Sequence, residues 1–192
     1  MNHDEPLEKQ IKKLQILEEP VLTKILSRFT YEIIPKNKFF LEAGTRHPQI
    51  GFLTSGILCS FIFNSEGEEV VKHFIEPEQF FTDLESYEHA KPAKLNIQAV
   101  VDSTVLTITK EDNQQLIQEH PQWEFVLKNF SSDALNRMIQ MQNFLHFGSA
   151  VEQYQHFVSH YPNLARQVPL KFIASYLGIT QSSLSRIRRE HS

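Results

Sequence analysis

The sequence predicts an α+β protein with an N-terminal double-sheet, jelly-roll-like β-barrel, a long dimerisation helix and a C-terminal helix-turn-helix. Three observations carry that prediction. Between Ile33 and Ile108, short β-rich runs alternate with turn residues. From Pro121 an apolar stripe recurs every three or four residues, with no glycine until Gly148. Near the end, Ile173-Ala174-x-x-Leu177-Gly178-Ile179-Thr180 has the register of two helices crossing at a tight turn. The expected units are a barrel over 1–120, the long helix over 121–147 and the helix-turn-helix over 148–192.

In chain order, Leu7, Ile11, Leu14, Leu22 and Ile25 repeat at helical spacing, and Pro20 divides this stretch into two short helices. Strands are expected at Lys38–Leu41, Ile50–Thr54, Ile57–Asn64, Glu68–Ile75, Leu95–Val101 and Val105–Thr109. Within Ile57–Asn64, Ile57, Cys59, Phe61 and Phe63 share one face. Ser65-Glu66-Gly67-Glu68 reads as a hairpin between two strands. Thr109 can cap a short helix ending before His120-Pro121. A helix of about 25 residues within this run would span roughly 37 Å, more than one small core can cover. Its stripe includes Leu127, Phe130, Ala134, Met138, Met141 and Leu145, and these residues are assigned to a homodimer contact. Phe125, Val126, Leu135, Ile139 and Phe144 form a second edge. Gly148-Ser149 ends the helix and caps the next, which runs to His160.

Composition removes several classes. The chain has 192 residues and is 41% apolar and 22% charged, the mix of a globular protein. No apolar run approaches the roughly 18 residues needed to span a bilayer. The start, with Asp4 and Glu5, has neither the basic residues nor the apolar core of a secretory signal, so the expected location is cytoplasmic. One cysteine, Cys59, cannot make an intramolecular disulfide, a multi-cysteine zinc site or an iron–sulfur cluster. The net charge of −4 argues against a nucleic-acid partner at first sight. Its distribution reverses that argument. Residues 1–147 carry −7 and residues 148–192 carry +3, with Arg186, Arg188 and Arg189 in one helix.

In the helix-turn-helix, Ile173, Ala174 and Leu177 form the inner face of the first helix. Gly178 supplies the left-handed turn residue, Ile179 fills the gap, and Leu184 and Ile187 face inward from the second helix. The candidate DNA-binding residues are Lys171, Thr180, Gln181, Ser182, Ser183, Ser185, Arg186, Arg188 and Arg189. Short polar groups suit base edges, and guanidiniums suit phosphates or guanine.

These segments and their order resemble the Crp–Fnr family of bacterial transcription regulators. The resemblance rests on Ile173-Ala174-x-x-Leu177-Gly178, Leu184-Ser185-Arg186-Ile187 and the hairpin Ser65-Glu66-Gly67-Glu68-Glu69-Val70 leading to Phe74. It implies a cyclic-nucleotide-binding-like barrel, a homodimer, double-stranded DNA and RNA polymerase as partners, and Arg186 as the leading DNA contact. Cyclic-AMP-binding members carry a Gly-Glu pair for ribose and an Arg-Ser or Arg-Thr pair for phosphate. Here Asp83 stands in place of that Glu and Ala93 in place of that Arg. The base-contacting hydroxyls are replaced by Met138 and Ile139. No tight cyclic-AMP binding is therefore expected, and no cofactor. Any effector pocket is assigned to Phe81, Asp83, Leu84, Lys94, Met138 and Ile139, with the effector unidentified. Ser182 replaces a frequent recognition-helix Glu, which implies a different DNA half-site.

Other constellations are weak. His156 and His160 are four apart, but no third metal ligand adjoins them in sequence. His73, His47 and His89 do not cluster as in a cupin-type metalloenzyme, so neither an enzyme nor a metal site is expected. Cys59 alternates with Ile57 and Phe61 and reads as a buried apolar residue. Two other readings stay open. One is a sensor whose helix-turn-helix contacts a protein partner, and the other is a regulator that needs no effector.

Overall fold

The computed structural model describes residues 3–146 and 148–191, and among their side chains it leaves out 141–144, 146 and 191. Two N-terminal helices, α1 (Glu5–Leu14) and α2 (Glu19–Leu26), precede eight strands. The strands are β1 (Thr30–Ile34), β2 (Phe39–Leu41), β3 (Gln49–Ser55), β4 (Leu58–Phe63), β5 (Glu69–Ile75), β6 (Gln79–Phe81), β7 (Asn96–Ala99) and β8 (Ser103–Thr109). A short α3 (Leu84–His89) lies between β6 and β7. After the strands come α4 (Lys110–Glu119), α5 (Gln122–His146), α6 (Ala150–His160), α7 (Pro162–Gln167), α8 (Leu170–Tyr176) and α9 (Gln181–His191).

The strands form two four-stranded sheets, ordered β1-β8-β3-β6 and β2-β7-β4-β5, with every pairing antiparallel. Alternation along the strands separates three apolar layers. Leu53, Leu58, Ile75, Ile97 and Val105 point between the sheets, where Phe40 and Phe81 join them. Their sequence neighbours Phe52 and Leu106 point out of the first sheet onto Leu7, Ile11, Leu22, Ile25, Leu116, Trp123 and Val126. Cys59, Phe61, Val71 and Phe74 belong to a third cluster with Phe157, Leu164, Phe172, Ile173, Leu177 and Leu184. The C-terminal helices thus share a core with the second sheet.

Local chemistry sets the joints. Pro20 sits in the first turn of α2, where its missing N–H has no helical partner to lose. Gly56, between β3 and β4, has φ +97, and a Cβ added there would lie 2.6 Å from Ser103 Cα. The hydroxyl of Ser103 accepts from Ile57 N–H at 3.2 Å and donates to Val101 C=O at 2.8 Å. Ser149 and Glu152 form a reciprocal capping box that starts α6.

Four elements escape the sequence reading: β1, β6, α3 and α7. Strands β1 and β6 lie at opposite edges of the first sheet, and only three residues define β6. The expected strand Leu95–Val101 shortens to Asn96–Ala99.

Candidate nucleic-acid interface and barrel interior

Helices α8 and α9 cross as the packing of their residues dictates. The N–H of Ile179 reaches back to Ala174 C=O at 3.0 Å, and Gly178 takes φ +68, a left-handed value at low cost for glycine. Thr180 precedes α9 and accepts from Ser183 N–H at 3.1 Å, satisfying one end group of that helix. Leu184 and Ile187 are buried and fix the rotation of α9. Gln181, Ser182, Ser185, Arg186 and Arg189 are exposed, while Ser183 and Arg188 are half-buried. Lys171 is placed differently from the other candidates: its ammonium lies 2.9 Å from Glu69 Oε2 on the barrel.

The residues assigned to an effector pocket lie in different surroundings. Phe81 is buried in the barrel core, edge-on to Phe40 at 4.8 Å between ring centres. The buried carboxylate of Asp83 accepts from Ser86 N–H at 2.8 Å and from Lys94 N–H at 3.4 Å, so it caps α3. The ammonium of Lys94 is turned outward onto Glu85 at 2.8 Å. Leu84 is 68% exposed, and Met138 and Ile139 are exposed on α5. Apolar side chains pack the space between the sheets.

The apolar residues of the long helix are divided between two surroundings. Leu127 and Phe130 pack against the N-terminal cluster, with Phe130 4.9 Å from Phe80 between ring centres. Leu145 packs toward the C-terminal cluster, and Ala134 is half-buried. The side chain of Met141 lies outside the described residues. Phe125, Leu135, Met138 and Ile139 are the large apolar residues that α5 leaves exposed. Leu127 and Phe130 of the stripe thus lie partly against the chain's own core beside the buried Trp123 and Val126, while Met138 of the same stripe is exposed.

Comparison with known proteins now bears on the fold. Residues 32–120 match the family model described as the cyclic nucleotide-binding domain. FixK2 from Bradyrhizobium japonicum superposes with a TM-score of 0.72 at 17% identity, covering 84% of this chain and 83% of that one. The c-di-GMP-responsive global regulator CLP from Xanthomonas campestris gives 0.72 at 14% identity, covering 90% and 91%. A transcriptional regulator of the Crp/Fnr family from Eubacterium rectale gives 0.71 at 13%, covering 92% and 84%. The chain has the Crp–Fnr fold. No curated protein sequence matches it.

Within the Crp–Fnr fold, one cleft falls at the junction of barrel, long helix and C-terminal unit. Its polar lining is His73, Glu76, Gln79, Arg137, Tyr161 and Tyr176. Burial holds the His73 imidazole down to about 4, and Arg137 acts in the same direction. Burial raises the Glu76 carboxyl against the opposing pull of Arg137, and burial also raises the Tyr176 phenol. Cys59 is buried, and desolvation pushes its thiol up to about 12, with Glu69 adding to the rise. It has the character of an apolar core residue.

Sequence reasoning missed Glu69, Ser175 and this cleft. No local pattern joins residues about a hundred positions apart, and Ser175 resembles any helical serine until its strand partner is known. Among the described residues, no three His, Cys, Asp or Glu side chains come together to hold a metal ion, and no helix is long and apolar enough to cross a membrane. The rings of His156 and His160 stack 3.8 Å apart between centres.

Proposed function

We propose that this chain is a homodimeric, sequence-specific DNA-binding transcription regulator whose barrel takes no cyclic mononucleotide. The observation that carries this reading is the polar face of α9. Gln181, Ser182, Ser185, Arg186 and Arg189 stand exposed on a helix whose other side is locked by Leu184 and Ile187. A helix so mounted suits a DNA major groove, with Arg186 able to reach a guanine edge or a phosphate. Two of the three structures compared above, CLP and the Eubacterium rectale protein, are described as regulators, which supports the same reading.

Dimer formation rests on the exposed apolar residues Phe125, Leu135 and Ile139 of α5. Two copies joined there would present two recognition helices to a roughly palindromic site, with half-sites about one turn apart. An activator would also meet RNA polymerase, whereas a repressor need only occupy the site. The filled barrel favours a regulator that is independent of cyclic AMP.

Selection of bound duplexes from a random pool tests the reading. A two-fold symmetric site is expected, and Arg186→Ala should weaken binding to it by one to two orders of magnitude, about 1–3 kcal/mol. Lys12→Ala, on α1, should leave binding unchanged. Equal loss in both variants, or selection of no site, overturns the assignment. Log affinity should also fall steeply with log salt, as phosphate contacts require and a protein-only partner does not.

A further inference from the structure

Strand β5 is the outer strand of its sheet, so its far edge presents N–H and C=O groups that no neighbouring strand satisfies. Ser175 of α8 covers that edge. Its hydroxyl accepts from Val71 N–H at 3.0 Å and donates to Glu69 C=O at 2.8 Å. A residue of an adjoining strand would make the same kind of paired bonds. One helical turn earlier, Lys171 Nζ meets Glu69 Oε2 at 2.9 Å and lies 4.4 Å over the ring of Phe172. Tyr176 adds an edge-on contact with Phe74 at 5.1 Å between ring centres. Residues 171, 175 and 176 thus clasp one short stretch of β5.

The charges involved give the clasp a consequence. In a helix-turn-helix the first helix crosses the DNA backbone, so an ammonium at its start stands where a phosphate would be met. Glu69 already supplies that ammonium with an anionic oxygen at hydrogen-bond distance. The same hairpin carries Glu66 and Glu68, which add negative charge beside the position a phosphate would take. The recognition face of α9 remains exposed, so the clasp does not occlude it. It competes for the backbone anchor instead.

We propose that the β4–β5 hairpin is a built-in competitor for DNA phosphate: Glu69 holds the Lys171 ammonium, which DNA must draw away, while Ser175 keeps α8 fastened to the β5 edge. This proposal rests on the DNA-binding reading above. The ion pair is partly exposed, so its exchange for a phosphate costs little, while the apolar core shared by α8 and the second sheet keeps the helix docked.

The test uses the full chain and a mixed-sequence duplex of about 30 base pairs, long enough for two half-sites. Glu69→Gln keeps the shape and removes the charge. It should tighten duplex binding about two- to five-fold and steepen the salt slope by about one. Adding Lys171→Gln to that variant should cancel both changes. Ser175→Ala should speed hydrogen exchange at the Val71 amide by on the order of tenfold while leaving amides in β7 and β8 as they were. Unchanged or weaker binding by Glu69→Gln, with Arg186→Ala still losing affinity, overturns the proposal alone. Parental binding by Arg186→Ala overturns the DNA reading and the proposal with it. Unchanged exchange at Val71 overturns the Ser175 half.

Discussion

The indole N–H of Trp123 donates to Asn113 Oδ1 at 2.8 Å, and Asn113 Nδ2 donates to the hydroxyl of Tyr87 at 2.8 Å. All three residues are buried, and they tie the root of α5 through α4 to α3. Asn113 has no substitute in this relay, since it accepts on one side and donates on the other. Asn113→Ala should destabilise the fold by about 2–4 kcal/mol, because it strands two buried polar groups and leaves a void. Urea denaturation with an unchanged slope would show this as a lower midpoint. Trp123→Phe should cost less than Asn113→Ala if the relay matters more than the ring.

Gly56 makes a sharper prediction. Its positive φ and the 2.6 Å approach of Ser103 Cα leave no room for a methyl group. Backbone cannot swing aside as a side chain can, so Gly56→Ala should cost at least about 2 kcal/mol. Gly67→Ala, in a turn with open space around it, should cost less, about 1 kcal/mol. Thermal melts of the two variants give the comparison directly.

The long helix separates folding from association. Phe125, Leu135 and Ile139 are 59%, 57% and 48% exposed and fall within a stripe of about 80° on α5. Leu135→Glu with Ile139→Glu should convert a dimer to a monomer by light scattering, with the melting temperature of the barrel retained. Leu127→Ala should do the reverse, lowering stability by about 2 kcal/mol while the oligomer persists.

His73 sets an acid limit. Its folded value of about 4 lies below the ordinary 6.5, so below pH 6.5 the unfolded chain takes up the proton more readily than the folded one. Stability from the neutral imidazole is therefore fully present above pH 6.5 and lost as pH falls toward 4, by roughly 2–3 kcal/mol in all. Glu76, raised by burial, contributes with the opposite sign across the carboxylate range. His73→Gln should melt with a flatter pH dependence than the parent between pH 6.5 and 4.5. A parallel dependence would mean that other groups govern the acid side.

The barrel interior yields a ligand prediction. Phe40 and Phe81 occupy the space between the sheets, and the Asp83 carboxylate is spent on capping α3. Calorimetry should detect no submicromolar binding of cyclic AMP or cyclic GMP.

Much of this was legible in the sequence where period and local chemistry decide structure. The alternation through Ile57, Cys59 and Phe61 marked β4, and Ile173 to Thr180 marked the helix pair down to its turn glycine. The three-residue β6 was not legible, because its strand character comes from pairing Phe80 with Phe52 across the sheet. The surroundings of the long helix were not legible for a related reason. Both of its faces are apolar, and only the anchoring of Trp123 and Val126 tells which one meets the chain's own core. The exposed polar face of α9 was legible in its residue pattern, whereas the Lys171–Glu69 pair joins positions that only the fold makes neighbours.

The burial of Cys59 gives the molecule its own stopwatch. The thiol lies in the cluster that joins the second sheet to the C-terminal helices, so a reagent in solution reaches it only while that cluster is open. With fast reclosure, its labelling rate is the exposed-thiol rate scaled by the fraction of time spent open. A single native cysteine can therefore report what fraction of the time that cluster stands open, without any engineered label.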